Sequence, residues 1–315
     1  MNAPVIDEVP SELISAELTA ERFLRRSNRG GNELYVVNAF NAPNTMREIG
    51  RLREIAFRLG GGGTGKEVDI DEFDLMTPPL QQLVVWNPAT RQIVGGYRFI
   101  LGRDVKILPD GTPRIATGHM FRFSPEFLRD YLPYTIELGR SFVRIEAQAT
   151  RHSGAIFALD NLWDGLGALT VKHPEIRYLF GKVTMYPDYK TECRDMILDF
   201  FRKHFADPDS LVVPIVPLEQ HPDREALDAA FPPGGDFKED YKRLNKLIRD
   251  HGFNIPPLVN AYMTLSPTMR YFGTAINPEF GDVEESGILV TVDEIAEEKK
   301  RRHIESFTGD SRTPA

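Results

Sequence analysis

Apolar residues recur along this chain at two spacings, one typical of amphipathic helices and one typical of strands. In residues 43–59 they return every three or four positions, as at Ile49 and Leu52, which predicts a helix. The run from Ile93 to Leu101 follows the turn residues Asn87–Arg91 and predicts the second strand of a hairpin. The same reasoning predicts further helices at 11–26, 155–171, 191–205 and 237–251, and further strands at 34–40, 83–86, 135–145 and 178–185.

The order of these segments predicts an α/β fold. Strands joined by hairpins precede the alternating part, so we expect a mixed, mostly antiparallel central sheet flanked by helices. A Pro- and Asp-rich stretch begins at residue 206. The predicted organisation is a helix and linker at 1–33, a core at 34–205, a C-terminal α/β extension packed on the core at 206–293, and a charged, disordered tail at 294–315.

The composition is that of a soluble globular protein, with 315 residues, 41% hydrophobic and 27% charged. No apolar run reaches the roughly 20 residues of a membrane span, and the N-terminus lacks the features of a signal peptide. A net charge of −8 disfavours nucleic acid as a partner. The single cysteine, Cys193, excludes a disulfide framework, and we expect it to be buried in a cytoplasmic protein.

Acidic and basic residues alternate along the first half of the chain in a way that suggests a shared cleft. Asp71 and Asp74 belong to a short acidic stretch, while Arg53 lies on a predicted helix and Arg98 on a predicted strand. A buried guanidinium needs a carboxylate partner and binds it through two parallel hydrogen bonds. We therefore expect Asp71 and Asp74 to pair with these arginines.

Glu137 stands in the middle of a predicted strand next to Gly139, where glutamate and glycine are both unfavourable. Strand alternation would put Glu137 and Arg140 on opposite faces, whereas a β-bulge would let them share one. An edge strand with a bulge explains the pattern without any function. We favour a functional site here.

Other motifs carry less weight. The stretch from Gly60 to Lys66 nearly spells a phosphate-binding loop, but Glu67 replaces the magnesium-binding hydroxyl, so we predict a glycine loop that could cover a cleft. His204 and Asp209 have the spacing of a His-x-x-x-x-Asp acyltransferase motif without its context. The histidines form no metal-binding cluster, and no metal site is predicted.

In this order the motifs resemble a known family. A strand, a loop, a helix with a phosphate-ready start and a further strand resemble the GNAT acyltransferase core. Within that superfamily the chain is similar to the hemolysin-like N-acyltransferases of ornithine and glycine lipid synthesis, and more distantly to acyl-homoserine-lactone synthases. The resemblance extends from about Leu34 to Lys190 and rests on Arg53 and Phe57, Asp71-x-x-Asp74, Gly95–Arg98 and Glu137–Arg140.

The resemblance implies transfer of a fatty or 3-hydroxyfatty acyl group from acyl carrier protein to the α-amine of glycine or ornithine. It implies no permanent cofactor, because an acyl-carrier phosphopantetheine thioester or acyl-CoA is a co-substrate. Glu137 is the candidate base for the acceptor ammonium. Backbone N–H groups where the strands splay near Ser141–Val143 would hold the oxyanion.

Further residues receive roles from the same resemblance. Arg140, Asp71, Asp74 and Arg98 would complete the catalytic and acceptor site, and Arg53 and Phe57 would order a lid. Arg151 and Ser153 replace small residues at the usual pyrophosphate site, which favours a carrier arm over CoA. The residues expected to bind that arm are Phe142, Val143, Arg151, Ser153 and Gly154, and the aromatic residues considered for the acyl chain are Phe99, Phe142, Phe157 and Trp163.

Two alternatives stay open at this point. A GNAT scaffold without catalysis could act at a membrane surface or in regulation, since fold does not fix function. The amphipathic segment Thr191–Phe205 could rest on a bilayer or pack in the core. A signal synthase of the acyl-homoserine-lactone type is the second alternative. Peripheral contact with the inner membrane is compatible with the predicted cytoplasmic location.

Overall fold

The computed structural model describes residues 2–145, 157–220, 224–231 and 234–307. Its strands are β1 (Phe23–Arg26), β2 (Glu33–Val37), β3 (Gln81–Asn87), β4 (Gln92–Leu101), β5 (Phe121–Phe123), β6 (Thr135–Val143), β7 (Tyr178–Met185), β8 (Val212–Pro214), β9 (Arg270–Asn277) and β10 (Val283–Thr291). Its helices are α1 (Ser11–Glu17), α2 (Pro43–Leu59), α3 (Glu72–Leu75), α4 (Ala158–Lys172), α5 (Thr191–His204), α6 (Arg224–Ala230), α7 (Phe237–Asp250), α8 (Pro257–Met263) and α9 (Glu297–His303).

One eight-stranded sheet organises the chain in the order β1-β2-β3-β4-β6-β7-β10-β9. The neighbouring strands are antiparallel except β6 and β7, which are parallel. The prediction of a mixed, mostly antiparallel sheet flanked by helices is confirmed. Strands β5 and β8 form a separate two-stranded sheet.

Hydrophobic residues pack on both faces of the large sheet. Successive residues on a strand point to opposite faces, so Leu83 joins the layer that contains α4, α5, α7 and α8, whereas Val84 joins the layer that contains α1 and α2. A third cluster lies on the same face as Val84 and covers Ile100 and Phe180. The sequences of the buried strands are therefore apolar at nearly every position.

The single helix predicted at 11–26 is wrong in its second half. Helix α1 ends at Glu17, and β1 pairs with β2. Phe23 packs in the layer beneath α1 and α2, while Leu24 packs in the opposite layer. Adjacent residues reach opposite layers only in an extended strand, so pairing with β2 overrides the weak helical pattern.

The predicted disorder of the charged tail is also corrected for residues 294–307. Helix α9 packs on α4, where His303 hydrogen-bonds Asp164 with a distance of 2.8 Å between Nδ1 and Oδ1. Phe307 is buried, and the guanidinium of Arg25 lies over its ring. Charged side chains thus find partners on α4 that the local sequence does not reveal.

Within the described ranges, no helix combines the length and the apolar character that a membrane crossing requires.

Candidate functional site

The sheet opens in its middle because β6 and β7 separate. These parallel strands pair from Thr135 and Tyr178 as far as Leu138 and Gly181. Beyond that point β6 pairs with β4, and β7 pairs with β10. The residues that follow Leu138 and Gly181 therefore line a gap that reaches into the centre of the molecule.

A β-bulge lies at the start of this gap. The register between β4 and β6 shifts between Gly96 and Arg98, so that Arg140 and Ser141 together face Tyr97. The backbone of Arg140 has a φ of 49°, in the left-handed region. The bulge that was weighed as the non-functional alternative for this strand is present, but β6 lies between β4 and β7 and is not an edge strand. Such a bulge redirects the side chain of the extra residue.

A largely apolar cleft of about 820 Å³ occupies the gap. Strand β6 contributes Phe142 and Val143, and β7 contributes Met185. The opposite wall consists of Asn254–Leu258 and Tyr262, which belong to the C-terminal extension. Its size and lining suit a flexible chain with few polar groups.

A second pocket of about 480 Å³ adjoins the cleft and is more polar than it, because several charged side chains line it. It is called the polar pocket. Asp71 and Arg98 line it, together with polar residues such as His119. Arg140, Lys182 and Phe280 line both the pocket and the cleft. The apolar and the polar spaces therefore meet at these three side chains.

Buried ion pairs form the floor of the polar pocket. Asp74 is fully buried and accepts hydrogen bonds from Arg98 Nη1 at 3.2 Å, from Arg53 Nη1 at 3.4 Å and from Gln82 Nε2 at 2.9 Å. Arg98 also donates to Asp71 Oδ1 at 2.7 Å. The predicted pairing of Asp71 and Asp74 with Arg53 and Arg98 is confirmed.

These contacts shift the pKa values of the paired groups. Although burial opposes both effects, Asp74 and Asp71 raise the pKa of Arg98, and Arg98 lowers the pKa of Asp71. Burial lowers the pKa of Arg53, and Asp74 limits the change. Arg98 and Asp71 therefore hold fixed opposite charges at the pocket wall.

Arg140 links the bulge to two aspartates. Its Nε lies 2.9 Å from Asp69 Oδ2 and its Nη2 lies 3.6 Å from Asp71 Oδ2. Its guanidinium carbon lies 4.2 Å from the centre of the Phe280 ring. Burial raises the pKa of Asp69, and Arg140 works against this rise. The bulge thus presents a cation, held from two sides, at the junction of the cleft and the pocket.

Glu137 does not reach either space, which corrects its assignment as the base. It is 1% exposed, and neither carboxylate oxygen has a hydrogen-bond partner of normal geometry in the described part of the chain. Burial raises its pKa, while Arg98 and Lys182 limit the rise. It pairs with Ile100 and Phe180, before the strands separate. A carboxyl group sealed in this way favours its neutral form.

The structure adds two site residues that the sequence did not reveal. Lys182 on β7 and Glu285 on β10 form an ion pair that lines the cleft. A lysine inside the apolar run Tyr178–Met185, and a glutamate in a buried strand, were the available signals. No residue close to Lys182 or Glu285 in the sequence indicated that the two form an ion pair.

The remaining predicted residues fall into three groups. Phe57, Phe142 and Val143 line the cleft. Arg53 is fully buried and bonded to Gln82 and Asp74, so it braces the core and cannot order a mobile lid. Arg151, Ser153 and Gly154, which were predicted to bind the carrier arm, lie outside the described residues.

Of the aromatic residues considered for the acyl chain, some line the cleft and others lie in the core. Phe142 lines the cleft, but Phe99 is a buried core residue. Trp163 packs edge-on against Tyr262 at a centroid distance of 5.4 Å. Phe157 is half-buried. The apolar lining comes more from β6, β7 and the segment before α8 than from these aromatic rings.

The glycine loop after α2 binds a carboxylate of its own chain. Glu54 accepts hydrogen bonds from the N–H of Gly65 at 2.7 Å and of Thr64 at 3.1 Å, and from the Thr64 hydroxyl at 2.7 Å. Arg58 donates to the same carboxylate at 2.6 Å. An internal anion thus occupies the amides that a phosphate would need, which supports a structural loop.

The other minor motifs have structural explanations. His204 hydrogen-bonds Asp240 at 2.9 Å, whereas Asp209 pairs with Arg270 at 2.5 Å, so the His-x-x-x-x-Asp pair is not assembled. Cys193 is buried, as predicted. Helix α5 packs in the core, with Phe200 and Phe201 fully buried, so this face does not rest on a bilayer. Among the described residues, no group of three or more side chains is arranged to hold a metal ion.

Comparison with known proteins points in one direction. A family model described as an acetyltransferase (GNAT) domain matches residues 52–157. A glycine N(alpha)-acyltransferase of Phocaeicola vulgatus is 59% identical over 304 residues, which cover 96% of this chain and 93% of that protein. One of Bacteroides thetaiotaomicron is 60% identical over 304 residues, which cover 96% and 90% of the two chains.

A solved structure, that of the AHL synthase LasI, matches 50% of this chain and 74% of its own, with 14% identity and a TM-score of 0.32. A likeness this weak supports no argument.

Proposed function

The chain belongs to the glycine N(alpha)-acyltransferase family, and from this premise we propose that it moves a fatty or 3-hydroxyfatty acyl group from acyl carrier protein to the α-amine of glycine in aminolipid synthesis. The resemblance to N-acyltransferases drawn from the motifs is confirmed, and the protein is an acyltransferase enzyme with a GNAT domain. An acyltransferase requires an acyl donor and an acceptor, and enzymes with this domain take the acyl group from a thioester.

The observation that carries the proposal is the junction of two unlike spaces at Arg140, Lys182 and Phe280. An acyl-pantetheine chain is long and mostly apolar and fits the larger cleft. A zwitterionic amino acid is small and charged and fits the polar pocket. Reaction requires that the thioester carbon and the amine nitrogen meet, and they can meet only where both spaces are open.

Arg140 and Arg98, which line the pocket together with Lys66 and Lys182, are the cations proposed to bind the carboxylate of the acceptor. Both guanidiniums are already held by aspartates, so they would receive the acceptor in a fixed orientation. Asp71 is 23% exposed at the pocket and stays ionised, which suits an approaching ammonium group. In this proposal Asp74 and Arg53 act by positioning Arg98.

The bulge on β6 is the candidate oxyanion site. A bulge leaves the extra residue outside the regular ladder of hydrogen bonds, so the backbone at Arg140 and Ser141 is available to a ligand. Donors already aimed at the position of the thioester oxygen stabilise the tetrahedral intermediate without reorganisation.

The choice of acyl carrier protein over CoA rests on the sequence. Arg151 and Ser153 stand where CoA-dependent members carry small residues, and we keep the segment around Arg151, Ser153 and Gly154 as the proposed binding site of the carrier arm. Cytoplasmic location and peripheral contact with the inner membrane stay predictions.

The test is acylation by the purified full chain. Palmitoyl and 3-hydroxypalmitoyl groups are offered on acyl carrier protein and on CoA, with glycine, ornithine or serine as acceptor, and products are identified by mass spectrometry. We expect N-acylglycine from the carrier-bound donor, with a higher kcat/KM than from CoA. If only another amino acid is acylated, glycine is not the acceptor. Equal kcat/KM values for the two donors would refute the preference for acyl carrier protein.

A charge reversal tests the proposed carrier site. Arg151→Glu should raise KM for acyl carrier protein at low salt and leave KM for glycine unchanged, because the donor phosphate and the acidic carrier would meet a like charge. The matched control is Lys246→Glu, which reverses a charge on the exposed face of α7. Equal KM values for wild type and Arg151→Glu would place the carrier elsewhere.

A further inference from the structure

Lys182 is the first residue of β7 beyond the last pair that joins this strand to β6. Its side chain is 10% exposed and lines both the apolar cleft and the polar pocket. A lysine is strongly hydrated, and its burial in a sheet is costly unless other groups compensate. Its position at the junction gives this costly placement a function.

Glu285 compensates for part of that cost from the next strand. It is 1% exposed, its Oε2 contacts Lys182 Nζ, and its Oε1 accepts a hydrogen bond from Asn277 Nδ2 at 3.3 Å. Glu285 pairs with Thr184, two residues after Lys182 on the same face of β7. The carboxylate is therefore fixed from two strands, and it holds the ammonium nitrogen at the gap.

Other charged groups near Lys182 come from several elements. Arg140 and Glu137 approach from β6, Arg98 from β4 and Asp69 from the loop before α3. Burial lowers the pKa of Lys182 well below its usual range, Arg140 lowers it further, and Glu137 works against the change. A buried lysine whose pKa is lowered gives up its proton more readily than a surface lysine, so its amine can take up and release a proton during a reaction.

We propose that Lys182 is a catalytic residue that carries protons between acceptor and donor, and that Glu285 is its positioning residue. This inference rests on the proposed function, because it assigns the proton transfers of that reaction. It replaces Glu137 as the base, since Glu137 reaches neither space and Lys182 reaches both.

Two protons leave the acceptor nitrogen during the reaction. The neutral amine of Lys182 removes one proton from the acceptor ammonium, which leaves a free lone pair on nitrogen. This nitrogen attacks the thioester carbon, a C–N bond forms, and the C=O π pair moves to oxygen. When the carbonyl re-forms, the C–S bond breaks and sulfur leaves with the bonding pair. Lys182 then protonates the thiolate, and the second nitrogen proton passes to water.

Substitution of Lys182 is the first test. Lys182→Met removes the amine at similar length, and Lys182→Arg keeps a cation that cannot lose its proton. We expect both variants to lose about 100-fold or more in kcat with glycine, the size usual for a proton-transfer group. Lys246→Met, on the exposed face of α7, is the matched control and should retain full activity. Activity of Lys182→Arg within about threefold of wild type would overturn the proposal.

Glu285→Gln separates a positioning role from a merely structural one. Loss of the negative charge disfavours the ammonium form of Lys182 and lowers its pKa, so the low-pH limb of the kcat profile should move to lower pH. Maximal kcat should fall as well, because the amine is less firmly held. A reduced kcat with an unmoved limb would assign Glu285 to structure alone and refute its role here.

The pKa of Lys182 can also be measured directly, without any acyl donor or catalytic turnover. Protein labelled with 13C at lysine Cε is titrated by NMR, and the Lys182 resonance is the one that is absent from both Lys182→Met and Lys182→Arg. It should titrate well below the usual lysine value of about 10.4. Titration together with the surface lysines would overturn the proposal even if glycine is acylated. A wild type that acylates no amine would refute the proposed function, and this titration would still decide the state of Lys182.

Discussion

At the scale of single residues, the site depends on charges that are neutralised inside the protein. Three arginines and three aspartates meet beside the polar pocket, namely Arg53, Arg98, Arg140, Asp69, Asp71 and Asp74. Such a set adds little net stability, because desolvation offsets the attraction, but removing one member leaves a buried charge without its partner. The group therefore fixes the direction of each guanidinium more than it stabilises the fold.

Asp74 is the member whose loss should cost most. Asp74→Asn keeps the shape but leaves Arg53 and Arg98 short of a negative charge, and we expect the free energy of unfolding to fall by about 3–5 kcal/mol. Denaturant unfolding measures this change. Asp130→Asn is the control, because the pair between Arg129 and Asp130 lies on the surface and should be dispensable. Equal stability of the two variants would contradict the buried network.

Substitution of Glu137, in contrast to that of Asp74, should raise the free energy of unfolding. Its pKa is raised in the folded protein, so stability falls as pH rises from the unfolded value of about 4.3 through the folded value. Glu137→Gln removes this effect, and we expect a gain in the free energy of unfolding that grows with pH and then becomes constant. Most of the acyltransfer activity should remain, because Glu137 lies outside both spaces.

Denaturant unfolding at a series of pH values checks the gain for Glu137→Gln. Glu54→Gln provides the contrast. Although burial opposes it, hydrogen bonds from Thr64 and Arg58 lower the pKa of Glu54, so its contribution is present above the unfolded pKa and is lost as pH falls. Glu54→Gln should therefore destabilise at neutral pH. Loss of stability in both variants would contradict the raised pKa of Glu137.

Residue chemistry could be predicted from sequence where it follows from charge alone. A guanidinium in a core needs a carboxylate, and the pairing of Arg98 with Asp71 and Asp74 follows from that need. Access to a cleft does not follow from residue type. Glu137 and Lys182 are both charged residues inside apolar strands, and only the point where β6 and β7 separate decides which of them reaches the substrates.

At the scale of elements, most helices and strands follow from hydrophobic periodicity. Helix α2 and strand β7 have the predicted bounds, and the bulge on β6 was indicated by a glutamate and a glycine within one strand. The errors lie where tertiary contacts override a weak local pattern. Strand β1 forms because β2 and the two core layers require it, and α9 forms because α4 supplies its partners.

The contact between α9 and α4 depends on Gly167. A Cβ atom at this position would lie 2.1 Å from the carbonyl oxygen of His303. Gly167→Ala should therefore displace α9 and destabilise by about 1–3 kcal/mol, although alanine is the better helix former. Unfolding by denaturant and proteolysis near α9 measure the effect. Val171→Ala, at an exposed position of α4, is the control, and a Gly167→Ala protein of increased stability would refute this packing.

At the scale of the whole molecule, the sheet joins segments that the sequence places in separate units. Strands β9 and β10 from the C-terminal extension continue the sheet beyond β7. The segment Asn254–Leu258 closes the cleft opposite β6. Core and extension thus share one sheet and one cleft.

This arrangement predicts that residues 1–205 cannot fold alone. Without β10, strand β7 would present unpaired N–H and C=O groups and a bare apolar face, which favours aggregation. We expect the truncated chain to lack cooperative unfolding in circular dichroism, whereas the full chain unfolds in one transition. Cooperative unfolding of the truncated chain with retained binding of the acyl donor would show that the extension is dispensable.

The sequence by itself determined the class of fold, most element bounds, the need for Arg–Asp pairing and the membership in an N-acyltransferase family, because these depend on local periodicity, charge and the order of motifs. Tertiary structure alone decided that Glu137 is sealed, that Lys182 and Glu285 meet, and that the C-terminal extension closes the cleft. The reason is that access and proximity depend on where two parallel strands separate, which is a relation between segments far apart in the chain.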